Sequence, residues 1–370
     1  MRSLGRALLL LAVAACSKPP APTEPASSPP LPAAAASTGT GPTPPTSSVP
    51  PAPAPSSASA TPPSACGGGR KLVVHFYDVD QALAVLVDLP DGRHVLVDTG
   101  DSPRRPSCGD VCAAADRHLL AKLGADLHGA PIDLVWITHQ HSDHIGGASE
   151  VLSTFHVGTY ADNGRDTRKA EVRRAHQAAA DRGTAVRIVD PDHPDAPIAS
   201  SPDVRITPIL PSAWPASCAH DANDCSIALR IDFCASSVLF TGDAEHEEEA
   251  VLDPHGHVDL LQVGHHGSET STTPGFLAKV RPSYAVISAG KPTGGMDVTY
   301  CHPRAIIAKR LTTLMGGAGS KTLRAFDGDR CVGSQPSDWV DVRVSDHLWA
   351  TERDGDVVLS TTGDGVFARE

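Results

Sequence analysis

The chain has 370 residues, 40% of them hydrophobic, with 31 Lys and Arg against 43 Asp and Glu and a formal net charge of −12. That balance disfavours generic binding to a nucleic acid backbone, which rewards a basic surface. Almost all of the charge falls after residue 65, so the amino-terminal stretch is a different kind of polymer from the rest.

The basic start Met1-Arg2-Ser3-Leu4-Gly5-Arg6, an apolar run from Ala7 to Ala15 and small residues before Cys16 make a secretory signal peptide. The run is too short for a permanent membrane span. With cysteine at the cleavage point it is similar to a bacterial lipoprotein signal, residues 1–16, in which Cys16 is lipidated; an ordinary signal with a coincidental cysteine is the alternative. Residues 17–65 are almost entirely Pro, Ala, Ser and Thr. Such a stretch cannot bury enough apolar surface to offset its ordering entropy, so a disordered tether is expected. The prediction is an exported body, residues 66–370, anchored by lipid to a bacterial membrane, on its periplasmic or its cell-surface face. Its cysteines, Cys66, Cys108, Cys112, Cys218, Cys225, Cys234, Cys301 and Cys331, form an even set that suggests disulfides, with Cys108 and Cys112 closing a local loop. A cysteine metal site is the competing reading.

Within the body, strands are expected over Lys71 to Val79, Leu83 to Leu89 and His94 to Val97, with a turn at Pro90-Asp91-Gly92. Val111 to Leu123 and Arg168 to Arg182 have helical spacing; between them lie a buried strand ending at Ile137 and another over Phe155 to Tyr160. The second half reads as strands at Val204 to Ile209, Ser226 to Phe233 and Ser237 to Phe240, a helix at Glu245 to Leu252, and strands at Val258 to Val263 and Tyr284 to Ser288. A helix over Arg304 to Leu314 precedes a tail, Trp339 to Ser360, of short strands joined at Asp354-Gly355. Mixed strands with interleaved helices argue for two sheets with helices outside them.

The strand ending at Ile137 runs into Thr138-His139-Gln140-His141-Ser142-Asp143-His144-Ile145-Gly146-Gly147. Side chains at a strand mouth are held rigidly yet open to solvent, which suits ligands that leave coordination positions free. Imidazoles mixed with a carboxylate fit zinc first, with manganese or iron as alternatives. Two later polar clusters also follow apolar strands: Thr241-Gly242-Asp243, and Gly264-His265-His266-Gly267-Ser268.

Taken together these segments resemble the metallo-β-lactamase superfamily, marked by His-x-His-x-Asp-His, a Gly-Asp and a later histidine. Within it the chain is most similar to the hydrolase domain of ComEC-type competence proteins. The resemblance rests also on Phe76-Tyr77-Asp78-Val79, Val95 to Gly100 and His302-Pro303, and spans about Lys71 to Gly365. It implies an α/β fold, a four-layer αββα sandwich, with the site at one edge of both sheets. It implies two divalent metal ions: His139 and His141 on the first, Asp143 and His144 on the second, and Asp243 bridging. His265 matches the last metal histidine, with His266 as the register alternative. Asp98 matches an aspartate that orients the histidine loop through hydrogen bonds. His302 and Ser268 would face substrate, and Asp78 could assist from its loop or be structural. The third histidine of the first metal has His220 as its candidate, although Asn223 aligns with an asparagine common in the ComEC-type family. The chain departs from the family at Asp78-Val79-Asp80-Gln81-Ala82-Leu83-Ala84, where the family carries two glycines and a second aspartate.

The activity this implies is metal-assisted hydrolysis of a phosphodiester by a water shared between two metals, with Asp243, Asp143 and His302 as catalytic residues. The competing readings are an amide, ester or lactone hydrolase, β-lactams included, and an inert surface binding protein that keeps the fold. Nucleic acid as substrate is disfavoured by the acidic charge, and the oligomeric state stays open.

Overall fold

A computed structural model describes residues 69–292 and 294–370. The signal with Cys16, the tether of residues 17–65 and Cys66 lie outside them. Strand β1 (Leu72–Phe76) alternates buried and half-buried residues, the period-2 pattern of a strand with two unlike faces. It pairs antiparallel with β2 (Val85–Asp88), which pairs antiparallel with β3 (His94–Val97). Then come α1 (Asp110–Asp126), β4 (Ile132–Trp136), α2 (Ser142–Ile145), α3 (Ala148–Thr154), β5 (Val157–Asp162), α4 (Ala170–Arg182) and β6 (Ala185–Ile188). Strands β3 to β6 are parallel.

The second half supplies β7 (Val204–Ile209), β8 (Ala228–Phe233), β9 (Ser236–Phe240), α5 (His246–Val251), β10 (Leu260–Gln262), α6 (Pro274–Val280), β11 (Tyr284–Ile287) and α7 (Ala305–Leu314). The chain finishes with β12 (Lys321–Phe326), β13 (Trp339–Val344), β14 (Leu348–Ala350), α8 (Thr351–Asp354), β15 (Val357–Thr361) and β16 (Ala368–Arg369). An eight-stranded sheet has the order β16-β15-β1-β2-β3-β4-β5-β6, and a six-stranded sheet the order β14-β11-β10-β9-β8-β7. Strands β12 and β13 form a separate hairpin.

Alternation along the strands builds three packed layers between four. Phe76, Val85, Val97 and Trp136 of the larger sheet meet Leu229, Ile231, Phe240 and Val286 of the smaller one. On the larger sheet's outer face, Leu86, Leu96, Val135 and Tyr160 pack against Leu119 and Leu123 of α1, Val151 of α3 and Val172 of α4. On the smaller sheet's outer face, Leu239, Leu261 and Ile287 pack against Phe276 of α6 and Ile307 and Leu311 of α7. The chain is thus the αββα sandwich its strand pattern foretold.

Several boundaries differ from the expectation. The first strand stops at Phe76; one more bond to the neighbouring strand follows, Tyr77 N–H to Ala84 O, before Asp80 takes φ 61° and turns the chain out of the sheet. The tail holds the short helix α8 between its strands. Disulfides join Cys108 to Cys112, Cys218 to Cys225 and Cys301 to Cys331, and Cys234 is disulfide-bonded too, so these cysteines act as crosslinks. Among the described residues no helix is long and apolar enough to cross a membrane.

Candidate metal centre

The polar clusters leave the carboxyl ends of β3, β4, β9 and β10, where an α/β sheet opens its crevice. Asp98 follows β3 at φ 55° and is fully buried. Its Oδ1 accepts from Thr138 N–H at 2.8 Å, and its Oδ2 accepts from Thr138 Oγ1 at 2.8 Å and His144 Nδ1 at 2.7 Å. A carboxylate that only accepts fixes the tautomer, so the His144 hydrogen sits on Nδ1 and its Nε2 presents a lone pair inward. The same logic holds His266, whose Nδ1 donates to Ser288 O at 2.8 Å, and His265, whose Nδ1 donates to Glu245 Oε1 at 3.0 Å.

These lone pairs converge on Asp243. Its Oδ2 lies 3.1 Å from His144 Nε2, 3.6 Å from His266 Nε2, 3.8 Å from His265 Nε2 and 3.9 Å from His139 Nε2. Its Oδ1 is buried without a hydrogen-bond partner. His139 Nε2 and His141 Nδ1 stand 3.1 Å apart, and His144 Nε2 and His266 Nε2 stand 3.3 Å apart. Nitrogens and carboxylate oxygens at such separations are the donor set of a divalent cation. Two overlapping groups have ligand atoms close enough to share an ion: His139, His144 and Asp243, and Asp143, His144 and His266.

The buried histidines and carboxylates perturb one another strongly. Burial pulls His144 down, but the carboxylates of Asp243 and Asp98 outweigh it and hold its pKa well above the usual histidine value. Burial, reinforced by His144, keeps His139 well below that value. Burial pushes Asp243 up, yet His144, His266 and His265 reverse the effect and hold it well below the usual carboxylate range. Asp143 is held low in the same way, by the His266 hydrogen bond and the His144 charge against its burial.

Not every residue advanced from the sequence is brought here. Of the adjacent pair, His266 stands with Asp143 and His144, whereas His265 turns its Nδ1 to Glu245 and Thr270. His220 is exposed and outside both groups: the loop that the Cys218–Cys225 disulfide closes turns Asn223, not His220, onto the cleft. Asp78 lines a separate cavity with Asp80, His118, Lys291 and Asp356. His302 packs behind the centre, its ring 5.4 Å from that of His265, and its Nδ1 accepts from Gln81 Nε2 at 3.1 Å. Burial, with His265 and His266 beside it, holds His302 well below the usual value.

The altered loop keeps its shape by other means. Asp80 takes the left-handed conformation that a glycine would otherwise supply, a region aspartate tolerates. Its Oδ1 accepts from Gln81 N–H at 2.8 Å and Met296 N–H at 2.9 Å. Gln81 Oε1 accepts from Gly290 N–H at 2.9 Å, which ties the loop to the far half of the molecule.

Other supporting residues were not singled out from the sequence. Gln262 Oε1 accepts from Thr241 N–H at 2.8 Å and Gly242 N–H at 2.9 Å, bracing the turn that carries Asp243. A polar residue interrupting the apolar run Leu260-Leu261-Gln262-Val263 was the available signal. Glu245 Oε1 accepts from Asn223 Nδ2 at 3.1 Å and Thr270 Oγ1 at 3.0 Å besides His265. The centre opens into a cleft of roughly 680 Å³ whose wall carries Arg104, Arg105, Lys169, Arg174, Asn223 and Tyr300.

A family model described as the metallo-beta-lactamase superfamily matches residues 77–291. Among curated relatives, the chain is 31% identical over 218 residues to recombination protein 2 of Haemophilus influenzae, covering 58% of this chain and 24% of that protein. It is 30% identical over 241 residues to ComE operon protein 3 of Bacillus subtilis, covering 62% and 29% respectively. It is 28% identical over 242 residues to competence protein ComA of Neisseria gonorrhoeae, covering 64% and 29%. The chain therefore spans only about a quarter of the length of these relatives.

Proposed function

The chain belongs to the metallo-beta-lactamase superfamily of metal-dependent hydrolases, and on that premise we propose that it hydrolyses phosphodiesters in a cleft holding two divalent cations, zinc first and manganese second. One observation carries the choice of substrate. In a chain of net charge −12, the cleft wall bears Arg104, Arg105, Lys169 and Arg174, with Glu171 the only carboxylate among its lining residues beyond Asp143 and Asp243. Arg105 pairs with Asp101 at 2.6 Å, Lys169 with Asp166 at 2.7 Å, Arg174 with Glu171 at 2.9 Å, and Arg104 with Glu150. Those pairs hold the cations in place while guanidinium N–H groups remain to bind phosphoryl oxygens. A neutral ester, amide or lactone makes no use of such a collar.

In this reading His139, His141 and Asp243 would hold one cation, and Asp143, His144 and His266, with Asp243, would hold the other. Bound there, the cations supply Lewis acidity that lowers the pKa of water and offsets phosphoryl charge. The chain's own residues do the rest: Asp98 fixes the His144 ring, Gln262 braces the Asp243 turn, and Glu245 fixes His265 with its Nε2 toward Asp243. The donors gathered around Asp243 argue against an inert binding protein. The disulfides support export, because such bonds persist in oxidising compartments. Export with a lipid anchor at Cys16 and a tether over residues 17–65 completes the proposal.

Incubating the purified chain with bis(4-nitrophenyl) phosphate, DNA and RNA oligonucleotides under Zn²⁺ or Mn²⁺ tests it. Metal-dependent cleavage that Asp243→Ala abolishes is expected. Cleavage of a β-lactam, ester or lactone with every phosphodiester untouched would overturn it.

A further inference from the structure

Hydrolysis of a phosphodiester releases an oxygen as well as adding one, and a basic alkoxide leaves more readily when a proton meets it. Few groups on the wall of the metal cleft can give that proton. Arg104, Arg105 and Arg174 line it but do not lose a proton in proteins. Ser142 Oγ donates to Asp101 Oδ1, Glu171 accepts from Arg174, and the Gln140 amide is sealed in the interior without a partner. His141, Asp143, His266 and Asp243 are assigned to the cations, and His265 spends its Nδ1 hydrogen on Glu245. Among the described lining residues that leaves Lys169 and Tyr300.

The two differ in what the loss of a proton does around them. Lys169 is paired with Asp166 at 2.7 Å and donates to Gln140 O at 3.2 Å, so losing a proton would break an ion pair. Tyr300 is the reverse case. It stands half-buried on the β11–α7 connection, and its Oη accepts from Arg105 Nη2 at 2.8 Å. A guanidinium only donates, so that bond leaves the phenolic hydrogen unused. Arg105 is fixed in turn, its Nη1 donating to Asp101 Oδ2 at 2.6 Å and its Nε to Ser107 Oγ at 3.2 Å. Tyr300 is fixed by its N–H, which donates to Asp297 O at 3.0 Å, and by the Cys301–Cys331 disulfide beside it. Deprotonated, it would be a phenolate already bonded to a cation, and such charge-assisted bonds are roughly twice as strong as neutral ones.

We infer that Tyr300 is the general acid of this site, with Arg105 holding the phenolate that forms. The role rests on the phosphodiester reading and names the group that serves the leaving oxygen. Water adds its oxygen to phosphorus and yields a proton to solvent, while the bond from phosphorus to the leaving oxygen breaks. That oxygen keeps the electron pair and takes the Tyr300 proton, and a proton from solvent then restores the phenol. A phenol is a stronger acid than an alkyl alcohol, so transfer to a departing alkoxide runs downhill.

The test compares two substrates on the zinc-loaded full chain: a dithymidine phosphodiester, which must release an alkoxide, and the 4-nitrophenyl ester of thymidine 5′-monophosphate, whose nitrophenolate leaves without a proton. Tyr300→Phe should lower the ratio of kcat on the first to kcat on the second by about 100-fold or more, the contribution of a general acid. Bound metal, measured by chelator competition, should stay at the wild-type level in that variant. An unmoved ratio, or a fall in bound metal that accompanies the loss, would overturn the role. Should Tyr300→Phe fail to fold, Arg105→Met leaves the phenolate without its counter-charge and should lower the same ratio; an unreduced ratio there counts against the proposal equally. Wild-type hydrolysis of the nitrophenyl ester alone would show that no acid serves the leaving oxygen and would overturn the role while sparing the phosphodiester reading. A wild-type chain inert on both would overturn that reading, and the acid role with it.

Discussion

His144, His265 and His266 each give the Nδ1 hydrogen to an oxygen and turn Nε2 inward, so the centre depends on the acceptors as much as on the rings. Asp98→Asn places an amide where a carboxylate accepts from both Thr138 and His144. It should weaken metal affinity roughly 10- to 100-fold, measured by chelator competition, with the fold intact by circular dichroism. A second single-residue consequence concerns Asp297, whose Oδ1 accepts from His302 N–H at 2.7 Å while its Oδ2 is buried without a partner. Burial raises its carboxyl, the His302 N–H opposes, and Asp80 and Glu352 add to the rise, taking it from 3.8 to about 8. The folded state therefore holds a proton that the unfolded chain releases, and stability falls as pH rises between those two values. Asp297→Asn removes this loss. Its melting temperature should exceed the wild-type value increasingly toward about pH 8, and the gap should close near pH 4, where both chains carry a neutral group; a gap of constant size would refute the assignment.

Among the elements, the turn from β4 through α2 and α3 shows why two glycines follow the histidine cluster. A Cβ on Gly147 would stand 2.3 Å from Thr99 O, and one on Gly146 would stand 2.1 Å from Ser102 N. The close approach lets Thr99 N–H and Thr99 Oγ1 reach His144 O at 2.7 and 2.9 Å, which pins the loop to the end of β3. Gly147→Ala should destabilise the chain by about 1–3 kcal/mol or more in urea denaturation and reduce bound metal in parallel, since backbone must move to admit the methyl. The loop after β1 solves its geometry differently, by placing Asp80 at φ 61° with its carboxylate bonded to two backbone N–H groups. Asp80→Asn should keep the fold and most of the stability. Asp80→Val, strained there and unable to accept, should cost on the order of 1–3 kcal/mol, read as a shift in denaturation midpoint.

For the whole molecule, the proposed phosphodiester reading makes Arg104, Arg105, Lys169 and Arg174, each paired with a carboxylate, the groups that would meet the substrate's charge at the cleft. KM for a phosphodiester should therefore rise steeply as NaCl increases toward about 0.5 M, while kcat changes little, because screening weakens encounter more than chemistry. A salt-independent KM would remove the collar from substrate capture. The two sheets that carry the halves of the centre are joined by more than apolar packing, since Trp136 Nε1 donates across to Ile227 O at 2.9 Å. Much of this frame was legible beforehand: alternation along β1 to β3 and the apolar runs before Thr138, Thr241 and Gly264 reveal strands, because burial on one or both faces is a local demand on side chains. His139, His141, Asp143 and His144 were legible because they lie within six positions at one strand mouth. Four features waited on the tertiary structure: His266 rather than His265 beside Asp143, His220 turned away while Asn223 reaches the cleft, Gln262 under the Asp243 turn, and the unpaired amide of Gln140. The sequence by itself determined most of the strands, the sandwich and the family, whereas these four depend on left-handed turns, a disulfide-closed loop and the approach of segments far apart in the chain, which no local pattern of residues encodes.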